Sequence, residues 1–204
     1  MVRTDLDDVN LLKIVTQQSN GHVLTQEYTL GGRLSRWIDR NPSGSGNIST
    51  YSYQDSLSRY LVTSGGFVQT WSYGVDKKPV TDDDSLLFLR SVNEAGDEIV
   101  QEFDAQGRVA QIRNITKNTV TVYAYNDSVK RYSVTSGNMT QMWSYGADSK
   151  GSTHDDVLQS ILSPNNEGEI LFQEFAPSGR PIRITNQTTS LVTTYTYNDP
   201  AKEV

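Results

Sequence analysis

Cysteine is absent from this chain of 204 residues. That excludes disulfides, thiolate nucleophiles and cysteine metal sites, and it suits an oxidising compartment as well as a reducing one. Histidine is nearly absent: His22 and His154 are the whole set. Neither recurs at the equivalent position of an internal repeat, where Asp97 and Asp82 stand instead. A nucleophile–base dyad therefore has no marked site, and no enzymatic activity, cofactor or metal is expected. A basic excess is also lacking, since 18 Lys and Arg face 24 Asp and Glu for a net charge of −6, with the basic residues scattered. Nucleic acid is not an expected partner. No apolar run approaches the ~20 residues that cross a bilayer as a helix, and "MVRTDLDDVNLLKIV" lacks the pattern of a secretory leader. A soluble chain without membrane insertion is expected.

What is present is a repeat. Arg59-Tyr60 returns as Arg131-Tyr132, Trp71-Ser72-Tyr73-Gly74 as Trp143-Ser144-Tyr145-Gly146, and Gly107-Arg108 as Gly179-Arg180, each 72 residues later. An earlier copy, "QEYTLGGRLSRWIDRNPSGSGNISTYSYQD", carries three extra residues in "NPSGSGNIS". The chain reads as one all-β repeat domain over 1–204, made of a truncated unit (1–56) and two whole units (57–128 and 129–204).

Within each unit, four-residue turns end in glycine: "NEAG" and "DAQG", then "NNEG" and "APSG". Successive turn glycines lie 11 residues apart, as in Gly96 and Gly107. A strand of about six or seven residues plus a hairpin turn fills that interval. Between turns the side chains alternate. "TVTVYAY" sets Val120, Val122 and Ala124 against Thr121, Tyr123 and Tyr125, and "FVQTWSY" puts Phe67, Trp71 and Tyr73 on one side. Sustained helical spacing is missing; "DDVLQSIL" at 155–162 allows a short helical turn, although its counterpart "DDSLLFLRS" reads as a strand. The count is four, six and six strands in an antiparallel meander. An apolar share of 35% predicts a thin, curled or barrel-like sheet with partly wet faces.

The Gly-Arg turn, the strand after it and the following Tyr-x-Tyr-x-Asp strand together resemble the YD repeat of Rhs-type proteins, toxin-complex cage subunits and teneurins. "EFDAQGRVAQI" with "VYAYND" is the best match, and "EYTLGGRLSRW" with "TYSYQD" and "EFAPSGRPIRI" with "TYTYND" follow it. The resemblance covers most of the chain. It implies a wound β-sheet scaffold or binding module beside an active component, a protein ligand, and a secreted or cell-surface setting, as in a toxin system.

The residues themselves offer one binding candidate, the repeated "TWSYGVD" and "MWSYGAD". Trp71 with Tyr73, and Trp143 with Tyr145, project to one side of their strands, and Asp76 or Asp148 follows. An aromatic ring that stacks on sugar C–H groups beside a carboxylate that accepts hydroxyls would make a glycan site. Against it stands the reading of both Trp as packed structural residues. The aspartates of "TDDD" and "THDD" lack calcium-loop spacing and read as turn residues. A third expectation is assembly through the exposed edge strands of an open sheet, as a homo-oligomer or with further repeats.

Overall fold

The computed structural model describes residues 12–198. The N-terminal residues read above for a leader, and Asp199 of the last Tyr-x-Tyr motif, lie outside the described residues. Sixteen antiparallel strands account for nearly all of the regular structure: β1 Lys13–Gln17, β2 Val23–Tyr28, β3 Leu34–Arg40, β4 Gly46–Gln54, β5 Arg59–Ser64, β6 Phe67–Ser72, β7 Ser85–Val92, β8 Glu98–Phe103, β9 Val109–Asn114, β10 Thr119–Asn126, β11 Arg131–Ser136, β12 Met139–Ser144, β13 Val157–Pro164, β14 Ile170–Phe175, β15 Pro181–Asn186 and β16 Val192–Thr194. The count of four, six and six strands is met. Among the described residues strand order is linear from β1 to β16, a meander in which β1 and β16 are not paired with each other. Among the described residues the helical structure is one 3-10 turn, Asp55–Leu57. "DDVLQSIL" contributes to strand β13, as its counterpart in β7 implies.

The turn chemistry sets this order. Gly107 and Gly179 take φ of 75° and 78°, the left-handed region that a side chain disfavours. Each donates its N–H to the carbonyl three residues back, Asp104 or Ala176, at 2.9 and 2.8 Å, closing the turn. Asp104 and Asn165 reinforce such turns through their own side chains, accepting from Gln106 N–H and Glu167 N–H.

Compactness divides the chain into two units, Met1–Gly107 and Arg108–Val204. Each is a meander of eight strands. In the first, β4 pairs with β5 through Tyr53↔Tyr60, and β5 with β6 through Tyr60↔Trp71. In the second, β10 and β11 meet through Tyr125↔Tyr132, and β11 and β12 through Tyr132↔Trp143. Both units carry a register shift just before the Trp, where β7 and β13 hold one more residue than their partners. Such a bulge turns the strand more sharply.

The apolar residues that are buried among the described ones are Leu34, Ile38, Tyr60 and Tyr132. Among the described residues neither unit has a second layer of strands or helices over its sheet, which matches the thin, partly wet sheet expected from composition. Packing comes from neighbours across strands on the same face, each such pair contributing roughly 0.2–1 kcal/mol.

Candidate functional site

The Trp-Ser-Tyr-Gly segment of each unit ends a strand and leads into a loop, 73–84 in the first unit and 145–156 in the second. Trp71 extends a row of rings across three strands. Tyr53 and Tyr60 are 6.0 Å apart, Tyr60 and Trp71 6.4 Å apart with planes 13° from parallel, and Tyr60 and Tyr73 6.1 Å apart. In the second unit Tyr125 and Tyr132 are 5.5 Å apart, Tyr132 and Trp143 6.3 Å at 14°, and Tyr132 and Tyr145 6.0 Å. The expectation that Trp and Tyr share a face holds, because a tyrosine from the neighbouring strand stands between them. Each indole N–H is also engaged, donating to Gln69 at 3.2 Å and to Gln141 at 3.3 Å. Trp71 and Trp143 are half-buried.

One end of the row is fastened by the Gly-Arg arginine. Arg33 donates from Nη1 to both carboxylate oxygens of Asp55, at 2.7 and 2.8 Å, with its guanidinium 5.1 Å from the centre of the Tyr53 ring. Tyr73 donates its hydroxyl to the same Asp55 at 2.7 Å, and Tyr53 donates its own to the Leu34 carbonyl. The second unit repeats this corner. Arg108 donates to Asp127 at 2.8 Å and lies 4.0 Å over Tyr125, Tyr145 donates to Asp127 at 2.6 Å, and Tyr125 to the Val109 carbonyl at 2.9 Å. A cation over a ring face beside a bonded carboxylate is a favourable arrangement for all three groups.

The loop fastens the other end. Asp84 accepts the Gly74 N–H at 2.9 Å and the Thr81 N–H at 3.0 Å. Asp83 accepts the Thr81 hydroxyl at 2.8 Å and the Asp76 N–H at 3.2 Å, while Asp76 accepts the Lys78 N–H at 2.8 Å. Gly146, Asp148, Lys150, Thr153, Asp155 and Asp156 make the same bonds in the second unit. Asp76 and Asp148, the candidate sugar acceptors, are therefore turn residues of their own loops, which is the reading given above to the neighbouring aspartates. Asp148, Asp155 and Asp156 bring carboxylate oxygens within 4.8 Å of one another, the one grouping among the described residues suited to a cation. Amide and hydroxyl donors already serve these carboxylates.

The electrostatics follow from these bonds. Asp55 lies below the ordinary carboxylate range because of the Tyr73 hydroxyl first and Arg33 second, and Asp127 does so through Tyr145 and then Arg108. Asp83 and Asp155 are lowered first by the Thr81 and Thr153 hydroxyls. Tyr73 and Tyr145 are pushed up to about 12, by desolvation and then by donating to those carboxylates. Tyr60 and Tyr132 are raised by burial first, then by bonds to Asp84 and Asp156. At neutral pH the phenols keep their protons and the lowered carboxylates stay ionised, so the corner holds fixed donor–acceptor pairs.

Sequence reasoning missed Asp55, Asp127, Asp84 and Asp156 as members of this constellation. Their recurrence at the repeat spacing was the available signal. Among the described residues the one exposed Trp is Trp37, at 36%. It lines an open groove with Tyr28, Leu34, Tyr53, Lys78 and Val80 in the first unit.

No family model matches this chain, and no curated protein matches it. Among solved structures it is similar to a porin-like protein from Bacteroides uniformis, at 10% identity over 84% of this chain and 86% of that one, with a TM-score of 0.28.

Proposed function

We propose that this chain is a non-enzymatic β-repeat scaffold or binding module of the YD, Rhs-like kind, serving a protein partner in a toxin or cell-surface system. One observation carries this reading. The residues that recur, namely the Gly-Arg arginine, the Tyr-x-Tyr pair, the Trp-Ser-Tyr-Gly segment and the loop aspartates, bond chiefly to one another in both units. A recurrent set that satisfies itself is what a sheet without a second layer needs in order to stand, because cross-strand contacts replace a core. A hydrolytic or transfer site would instead hold a base of tuned acidity within reach of a nucleophile.

Binding of the wild-type protein to an immobilised glycan array tests the assignment. The scaffold reading expects no retained glycan. Retention that disappears in Trp71→Ala and Trp143→Ala, with both variants melting like the wild type, would replace it with a lectin using Trp71, Tyr73, Asp76, Trp143, Tyr145 and Asp148.

A further inference from the structure

The corner built by Arg33 and Arg108 recurs in part around Arg180 and Tyr197. Tyr197 donates its hydroxyl to the Pro181 carbonyl at 2.7 Å, as Tyr53 does to Leu34 and Tyr125 to Val109. Arg180 lies 5.2 Å over the Tyr197 ring, as Arg33 lies 5.1 Å over Tyr53. Strand β16 pairs with β15 in the register of β10 with β9: Ile184↔Thr193 stands where Ile112↔Thr121 stands. The backbone, the tyrosine and the arginine are thus already set.

The next strand is what differs. On β4, Tyr51 and Tyr53 face Val62 and Tyr60 of β5; on β10, Tyr123 and Tyr125 face Val134 and Tyr132 of β11. Those four tyrosines are half-buried, whereas Tyr195 and Tyr197 are 41% and 42% exposed. Among the described residues β16 has β15 as its one paired neighbour. The two complete corners in the same molecule place the same element against β4 and β10: a hairpin whose first strand reads Arg-Tyr-x-Val-Thr-Ser and whose second carries Trp-Ser-Tyr-Gly. Strand β1 is not that element, because it stands at the repeat position of β7, two strands further on.

Building on the scaffold reading, we infer that the β16 edge is a docking site for an antiparallel β-hairpin of the β5–β6 type, with a tyrosine set against Tyr197 and a β-branched residue against Tyr195. Strand addition supplies main-chain bonds and the ring row supplies selectivity. Arg180 and Tyr197 are held in place beforehand, so little ordering remains on the receiving side.

The test is a fluorescent synthetic peptide of residues 57–74 titrated against the protein, read by anisotropy. Saturable binding is expected, at least about tenfold weaker for the Tyr60→Ala peptide and for the Tyr197→Ala protein, which should stay folded and melt only slightly below the wild type, since it loses just the bond to Pro181 and the Arg180 contact at the edge. One tenfold step corresponds to about 1.4 kcal/mol. Because a free hairpin orders poorly in water, a second arm appends a copy of residues 127–146 after Asn198. That protein should melt higher than the same extension with its copied Tyr132→Ala. Binding indifferent to Tyr197, or equal melting of the two extended proteins, would overturn the inference. So would concentration-dependent self-association abolished by Tyr197→Ala, since the edge would then take a second copy. None of these results depends on glycan binding, so failure here is distinct from failure of the scaffold reading.

Discussion

The loops 73–84 and 145–156 make the same bonds with different residues between their anchors. Lys77-Lys78-Pro79-Val80 in the first corresponds to Ser149-Lys150-Gly151-Ser152 in the second. Even so, the Gly74 and Gly146 N–H groups reach Asp84 and Asp156 at the same 2.9 Å, and the Thr81 and Thr153 hydroxyls reach Asp83 and Asp155 at 2.8 Å. Three of these four positions differ, Lys78 and Lys150 being alike, while the aspartates, threonine and glycine of the frame are fixed: the frame carries the loop. The difference lies in how closely the middle of the loop packs. Gly151 is buried, and a Cβ there would meet Tyr145 at 2.7 Å and Tyr125 at 2.9 Å. Pro79 is half-buried and lines the groove beside Tyr53 and Trp37.

The strongest way to break the equivalence is at the anchor glycine. A Cβ on Gly74 would meet the Asp83 carboxyl carbon at 2.1 Å and the Asp83 carbonyl oxygen at 2.6 Å; on Gly146, Asp155 stands at 2.3 and 2.5 Å. Gly74→Ala and Gly146→Ala should each cost about 3 kcal/mol by chemical denaturation, since the loop backbone has to move. If either is tolerated, the frame is not what holds its loop. Gly151→Ala should be costly where a small change at Pro79, such as Pro79→Ala, costs much less.

Removing an acceptor comes next. Asp84→Ala and Asp156→Ala strand two backbone N–H groups and a tyrosine hydroxyl, a loss of about 2 kcal/mol in each unit. Unequal losses would mean that the differing positions contribute after all.

A smaller effect of opposite sign is expected at Val80, a β-branched residue at φ 63°. Val80→Gly should stabilise by roughly 0.5–1 kcal/mol, because the left-handed conformation is strained for valine. Ser152→Gly, at φ 66°, should change stability less. Equal responses would remove the strain from the comparison.

The pH dependence should be shared by both units. Asp55, Asp127, Asp83 and Asp155 have folded values below the ordinary one, so their contribution is present above the unfolded range near pH 4 and is lost as pH falls through the folded values. Melting temperatures should decline on acidification from pH 5 to 2.5, with a shallower decline in Tyr73→Phe and Tyr145→Phe. Tyr73 and Tyr145 work the other way: raised to about 12, they support the fold below the unfolded value near 10 and lose that support as pH climbs through 12.

Much of this was legible in the residues. Turn glycines 11 apart specify hairpins, alternation specifies strands, and the strand count follows from both. The shared face of Trp71 and Tyr73 was legible, but not the Tyr60 ring inserted between them, since it comes from another strand. Nor was the pairing of Arg33 with Asp55, 22 residues on, because it depends on how β3 and β4 are registered around the inserted "NPSGSGNIS". Loop 73–84 looked like a solvated acidic turn; its aspartates point inward to its own N–H groups, a choice that composition alone does not reveal.

The central claim is that the aromatic row is a structural element in both units, and thermal unfolding of Trp71→Ala and Trp143→Ala tests it most directly. Each loses the end of a stacked row and its bond to Gln69 or Gln141. The account predicts that both variants lose about 3 kcal/mol, a fall in melting temperature of at least about 6 °C. Two variants that melt with the wild type would contradict it.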